Sequence, residues 1–385
     1  MHENDRKSGN AKFSLVLPVL FYEYLALSIS KSIIPFMIIS AFGDWSYFIV
    51  GLIETFKGVL SFISCPFFGK LSDEIGRKRC LLLTVIGTTF PVCALAFTDN
   101  MTIFAILLIF SGFFTASFPL TFAYISDCVD KKDRAPAYGL ALATYGLSFC
   151  IGPITGSFIS TEYGRKTAFI CSLILVVIDV IYILTTLPES VEHVKGKAVS
   201  INEFETVLGL LPNTWGFSST FKVFGADPFM TNVALIIFLY YTSVWAVVST
   251  LMVYVTKQLH FSSITVGWLL TCYGLATMFS EGILVRIIVP RIGEVQSIRI
   301  GLFAFAIQCV IIAFSSSIEH IFISVLFSML ANLVYPSMSS LVSKIVDEES
   351  QGEALGALNG IRALTEGFGP LVFGTMMAGN QTSIY

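Results

Sequence analysis

Apolar runs of near-membrane length recur along almost the whole chain, and they decide what it can fold into. A helix crossing the bilayer core needs about 20 mostly apolar residues. Such runs lie at roughly 13–38, 47–68, 80–97, 101–125, 135–158 and 167–187. After a polar break they resume at roughly 230–255, 265–288, 298–314, 321–342 and 354–378. Without water, backbone polar groups must be satisfied within the segment, so runs of this kind fold as helices. The expectation is an all-α, polytopic membrane protein with 11 transmembrane helices, six before the break and five after it. Only 13% of the residues are charged, about half the share of a soluble domain.

Basic residues in short loops mark the cytoplasmic face. With a cytoplasmic N-terminus, 17 of the 23 Lys and Arg residues fall in alternate connections, among them Arg77, Lys78, Arg79, Arg134, Arg286, Arg291 and Lys344. The opposite connections hold only Arg165, Lys166 and Lys257, while Lys31, Lys57 and Arg362 fall inside helices. This bias predicts a retained, cytoplasmic N-terminus. The first apolar run is too long for a signal-peptide core and ends without a small-residue cleavage site.

The division that follows is an N-terminal six-helix half over 1–190, a cytoplasmic linker over 191–228 and a five-helix C-terminal half over 229–385. An apolar patch around Val207–Phe217 makes the linker a candidate interfacial segment. Only eight residues, AGNQTSIY, follow Met377, so the twelfth helix of a six-plus-six arrangement is missing and the C-terminus is expected on the non-cytoplasmic side.

The net charge of −3 gives no sign of a nucleic-acid partner. The eight Cys form no CxxC pair and the four His are scattered, so no metal and no cofactor are expected. Neither a P-loop nor a nucleophile, base and orienting group at motif spacing is present, which argues against a nucleotide-driven pump and against an enzyme. No retention tetrapeptide or lipid-anchor motif marks a particular membrane. Asn100 and Asn380 match the glycosylation pattern but lie so close to the membrane that little modification is expected.

An ionisable side chain inside a span is costly and by default suggests function. Glu23 and Lys31 lie in the first span, Glu54 and Lys57 in the second, Asp179 in the sixth, Glu281 in the eighth, and Arg362 with Glu366 in the eleventh. Glu54 and Lys57 are three apart and Arg362 and Glu366 four apart, so each pair either neutralises itself or contacts a solute or proton. Glu23 has no same-helix partner and is the preferred single candidate. Lys31 is read as a long side chain snorkelling toward the outer surface. Tyr240, Tyr241, Trp245, Asn332 and Tyr335 could stack on or hydrogen-bond to an organic solute, or simply fill the core. Burial raises a carboxylate's affinity for its proton, so proton coupling is compatible with these residues.

The two halves look like approximate copies. The fourth run ends in AYISDCVDKKDR and the next carries Gly152, Pro153 and Gly156; the tenth ends in LVSKIVDEES and the next carries Gly369, Pro370 and Gly374. Repeated halves are typical of secondary transporters. Between the second and third runs lies GKLSDEIGRKR, in which Asp73 and Arg77 can pair if the segment is helical, while Gly69 and Gly76 allow a tight turn and close approach.

This loop resembles the signature loop of the major facilitator superfamily, departing from it at Glu74, where a base is usual. Gly152–Gly156 is similar to the Gly-Pro motif of that family's drug antiporters, with Ser148 in place of a leading glycine. GLIETFKGVLSFISCPFFGKLSDEIGRKRCLLLTV, SDCVDKKDRAPAYGL, LPES and GIRALTEGFGP resemble the hippocampus-abundant-transcript group of tetracycline-transporter-like solute carriers. The resemblance implies a two-half bundle, a cavity lined by the first helix and flanked by the eighth, and a peripheral sixth helix, which favours a packing role for Asp179. It also implies a cytoplasmic gate latch built on Gly69, Asp73, Gly76, Arg77 and Lys78, completed by Arg134. The expected function is secondary active or facilitative transport of a small organic solute by alternating access, compatible with coupling to protons, by a monomer in the lipid bilayer. The alternative is a non-transporting sensor or trafficking factor that keeps the carrier fold.

Overall fold

A computed structural model gives the fold and describes residues 13–129, 134–190, 228–345 and 351–382. Among these, every regular element is helical. The N-terminal half contains α1 (Leu17–Lys31), α2 (Ile34–Phe42), α3 (Ser46–Ile75), α4 (Arg77–Ala94), α5 (Met101–Ser111), α6 (Ser117–Cys128), α7 (Arg134–Tyr163) and α8 (Arg165–Thr185). The C-terminal half contains α9 (Pro228–Lys257), α10 (Ser263–Phe279), a π-helical turn (Ser280–Leu284), α11 (Val285–Ile292), α12 (Glu294–Ala313), α13 (Ile318–Ala331), α14 (Val334–Ile345) and α15 (Gln351–Thr382).

Eight stretches among the described residues are long and apolar enough to cross a membrane. The eleven expected runs are therefore not each met. The first of the eight begins at Ile34, so α1, α4 and α15 fall outside them. Length is the reason for α1, which has 15 residues, and charge for the other two: α4 opens on Arg77, Lys78 and Arg79, and α15 carries Glu353, Arg362 and Glu366. Large apolar side chains still face outward around the bundle, including Phe90, Phe97, Phe110, Phe303, Phe314 and Leu326. Apolar surface of that extent marks contact with lipid, so this is an integral, multi-pass membrane protein.

Proline explains where helices break. A proline ring clashes with the carbonyl four residues earlier and removes the bond to it. Pro35, Pro119 and Pro336 direct that clash at Lys31, Thr115 and Asn332, and the α1–α2, α5–α6 and α13–α14 interruptions fall at those points. Glycine explains the sharpest joints. Gly76, Gly164 and Gly293 have φ of 101°, 89° and 84° with extended ψ, and each alone separates two helices. Only glycine adopts that conformation without strain.

Helix pairings repeat between the halves. Within the first, α7 lies on α1, with Gly152 and Gly156 against Ser28 and Ile29. Within the second, α15 lies on α9, with Gly369 against Thr242 and Ala246. The same two helices then join the halves. A Cβ on Gly58 of α3 would lie 2.5 Å from the Gly367 nitrogen of α15, and one on Gly51 would lie 2.7 Å from the Pro370 carbonyl oxygen. On the other side a Cβ on Gly274 of α10 would lie 2.9 Å from the Phe149 backbone of α7, and Thr271 Oγ1 donates to the Cys150 carbonyl at 2.8 Å. Small residues at these crossings let the backbones touch, as membrane helix packing requires.

Ser148, which stands where the drug-antiporter motif has glycine, also serves the α1–α7 seam. Its hydroxyl donates to the Phe21 carbonyl at 3.1 Å, and its own carbonyl accepts from Ser28 Oγ at 3.0 Å.

Candidate functional site

The intramembrane charges divide into two groups, and which helix faces which neighbour decides the division. The larger group gathers where the halves meet. Lys57 Nζ and Glu54 Oε2 of α3 form an ion pair at 3.4 Å. Glu366 of α15, beside the Gly58–Gly367 crossing, interacts electrostatically with both, and so does Lys31 of α1. Lys31 is exposed at the C-terminal end of α1 and interacts electrostatically with this group.

Arg362 behaves differently from the expectation of a self-neutralising pair with Glu366. Among the described residues it forms no ion pair and its guanidinium donates no hydrogen bond. Its cationic centre lies 4.9 Å from the ring centre of Tyr335 and 5.3 Å from that of Tyr241. Those rings meet edge to face at 6.0 Å, forming a corner around the cation. At longer range Arg362 interacts with Glu281 and Glu366, and Tyr145 of α7 interacts with all three.

Glu281 sits in the π-helical turn between α10 and α11. Such turns insert a residue into a helix, re-aim the side chains beside it and are frequent at functional sites. One turn before it, Thr277 Oγ1 accepts from Asn332 Nδ2 at 3.2 Å, tying the eighth run to the tenth. The indole N–H of Trp245, one turn after Tyr241, is buried without a hydrogen-bond partner among the described residues. Tyr240 turns away, donating to the Ala331 carbonyl at 2.9 Å.

Glu23 belongs to the second group. It lies five residues before Ser28, about 140° round the helix from the face that meets α7, and is 1% exposed inside the N-terminal half. Its Oε1 accepts from Thr88 Oγ1 at 2.7 Å and Ser117 Oγ at 2.8 Å, while Oε2 has no partner among the described residues. Asp179 of α8 interacts electrostatically with it, and neither Asp179 carboxyl oxygen has a hydrogen-bond partner among the described residues. The structure therefore seats Glu23 among α1, α4, α6 and α8 and not with Arg362.

A third cluster lies where α3 turns into α4. The helix ends at Ile75, so Asp73 and Arg77 fall on opposite sides of the Gly76 joint rather than one turn apart on a single helix. The side chains of Asp73 and Arg134 lie outside the described residues, as do residues 191–227. Arg77 Nε donates to Asp127 Oδ2 at 3.2 Å, and its Nη1 donates to the Gly69 carbonyl at 3.4 Å and to Ser72 Oγ. Ser190 Oγ also donates to Asp127 Oδ2, at 2.9 Å. Glu189 accepts from the backbone N–H groups of Arg77 at 2.8 Å and Lys78 at 3.2 Å, so its carboxylate caps α4, where unpaired N–H groups favour a negative charge. Lys78 Nζ donates to the Leu184 carbonyl at 2.9 Å. Gly69 makes no close approach among the described residues: none of their atoms lies within 4 Å of a Cβ placed there.

The comparisons with known proteins agree with this architecture. The model of the Major Facilitator Superfamily matches residues 16–378. The chain belongs to the Major Facilitator Superfamily. It is 28% identical over 366 residues to the hippocampus abundant transcript 1 protein of Mus musculus, covering 92% of this chain and 71% of that protein. To the class C tetracycline resistance protein of Escherichia coli it is 23% identical over 334 residues, covering 86% and 81%. The crystal structure of the human organic anion transporter MFSD10 superposes with a TM-score of 0.69 at 20% identity, covering 96% of this chain and 97% of that one. This major facilitator chain thus shares the fold of solved transporters, and small-molecule solutes are the substrates its family implies.

Two members of the Arg77 cluster escaped sequence reasoning. Asp127 and Glu189 are 50 and 112 residues from Arg77. Both stood inside quoted motifs, SDCVDKKDR and LPES, and an acid beside a serine at the end of a span was the available signal.

Proposed function

We propose that this protein is a secondary active or facilitative transporter of a small organic solute, working by alternating access. The observation that carries the reading is the unpaired Arg362, held with Tyr241, Tyr335 and Glu281 beside Tyr145 of the other half. An arginine inside a membrane with no hydrogen-bond acceptor is costly unless it faces a ligand or a water-filled path.

In this reading the halves 1–190 and 229–385, joined by a cytoplasmic linker at 191–228, rock about the α3–α15 and α7–α10 crossings and expose the site to each face in turn. The chain crosses the membrane eleven times as a monomer, with its N-terminus in the cytoplasm and its C-terminus on the opposite side. The Arg77–Asp127–Glu189 cluster, with Asp73 and Arg134, forms the cytoplasmic gate. Glu54, Lys57, Glu366, Trp245 and Asn332 line the solute path. Glu23, beside Asp179, carries the proton where transport is proton-coupled.

The test is flux by the purified chain in liposomes, screened against an unbiased metabolite mixture with and without a pH gradient. Saturable accumulation that loses its gradient dependence in Glu23→Gln is the expected result. Gradient-independent flux reduces the mechanism to facilitated diffusion. The absence of flux for every solute removes the transport reading and leaves a sensor or trafficking role.

A further inference from the structure

The central charges are balanced but incompletely paired. Glu54, Glu281 and Glu366 supply three acids, and Lys31, Lys57 and Arg362 three bases. Of these six, only Lys57 and Glu54 form an ion pair among the described residues. Opposite charges in a low-dielectric interior attract strongly, yet Arg362 and Glu281 interact electrostatically without closing to ion-pair distance. Two tyrosine rings flank the guanidinium, and Glu281 lies in the π-helical turn. Arg362 is left with its edge donors open, and the Glu281 carboxylate has no hydrogen-bond donor among the described residues.

We infer that the gap between Arg362 and Glu281 is a subsite for a zwitterion, in which Arg362 takes a carboxylate and Glu281 an ammonium group of one amino-acid-like solute. This rests on the transport reading above. A guanidinium presents parallel N–H donors that match a carboxylate in bidentate fashion. A net anion would satisfy Arg362 alone and a net cation Glu281 alone, each leaving the other charge unpaired. A zwitterion satisfies both ends at once. The two ends lie on neighbouring turns, since Thr277, one turn before Glu281, accepts from Asn332, one turn before Tyr335, and Tyr145 of the opposite half interacts electrostatically with both charges.

The experiment uses the full chain, purified in detergent, and three probe pools built on the same side chains. These are free amino acids, their N-acetylated forms, which are anions, and the matching decarboxylated amines, which are cations. Protection against thermal unfolding is read for each pool, and labelled pools are followed into liposomes. The amino-acid pool is expected to protect and the other two not. Arg362→Gln is expected to weaken that protection by about tenfold or more, the loss of a charge-assisted hydrogen bond. Glu281→Gln, which leaves Arg362 uncompensated, is expected to shift preference toward the N-acetylated pool. That gain cannot come from misfolding.

Better protection by anions or amines in the wild type overturns the inference, and so does no protection by any pool. Binding of amino acids without flux removes the transport reading and leaves the subsite standing. Flux of an uncharged solute without amino-acid protection does the reverse.

Discussion

Arg362 lies over the ring of Tyr335 at 4.9 Å and does not pair with Glu366, its neighbour one turn along the same helix. Stacking on an aromatic face leaves the edge donors of a guanidinium open, whereas an ion pair would occupy them. Cation–π contacts contribute about 0.5–2 kcal/mol. Tyr335→Leu is therefore expected to raise the half-saturating solute concentration by about two- to thirtyfold, and Tyr335→Phe to change it little. Concentration-dependent uptake in liposomes measures both; equal effects of the two variants would remove the ring as the cause.

The crossing of α3 and α15 tolerates no side chain at Gly58, because an added Cβ would meet the Gly367 backbone at 2.5–2.6 Å. Backbone cannot rotate away as a side-chain tip can, so the two helices must separate. Gly58→Ala is expected to cost about 1–3 kcal/mol. Gly69→Ala, with open space around it, is expected to keep or slightly raise stability. Melting of the purified variants checks the contrast.

Glu189 caps α4 from the far end of the N-terminal half, since its carboxylate accepts from the Arg77 and Lys78 N–H groups. Glu189→Ala is expected to destabilise by about 0.5–2 kcal/mol. Asp127→Asn and Asp73→Asn are expected to slow cycling while leaving the chain folded and inserted. Normal uptake in both would exclude a gating role for this corner.

Asp179 is fully buried with two unpartnered carboxyl oxygens. A buried polar group left without a hydrogen-bond partner costs about 1–3 kcal/mol, which an apolar side chain of similar volume would not incur. Asp179→Leu is expected to raise the melting temperature and, where transport is proton-coupled, to weaken its dependence on the gradient. A lower melting temperature would indicate a hydrogen-bonded packing role instead.

Much of the fold was legible in the residue order. Apolar period and length gave the helices, and Gly76 and Pro153 stood in recognisable motifs. The candidate site was legible only as an inventory. Eight ionisable groups could be placed inside spans, but Lys31 and Glu23, on one run of helix, entered different clusters. Lys31 joined Glu54 and Glu366, and Glu23 bonded Thr88 and Ser117. Spacing along one helix says which residues share a face; it does not say which neighbour that face meets.

The sequence by itself determined a helical membrane protein with a repeated glycine–proline plan, because apolar length and backbone satisfaction in lipid admit little else. Only the tertiary structure decided that Arg362 stacks on Tyr241 and Tyr335, and that Asp127 and Glu189 hold Arg77. Those contacts join residues 27 to 121 positions apart. They form because small residues at the helix crossings let particular backbones touch, and close approach sets which side chains face each other.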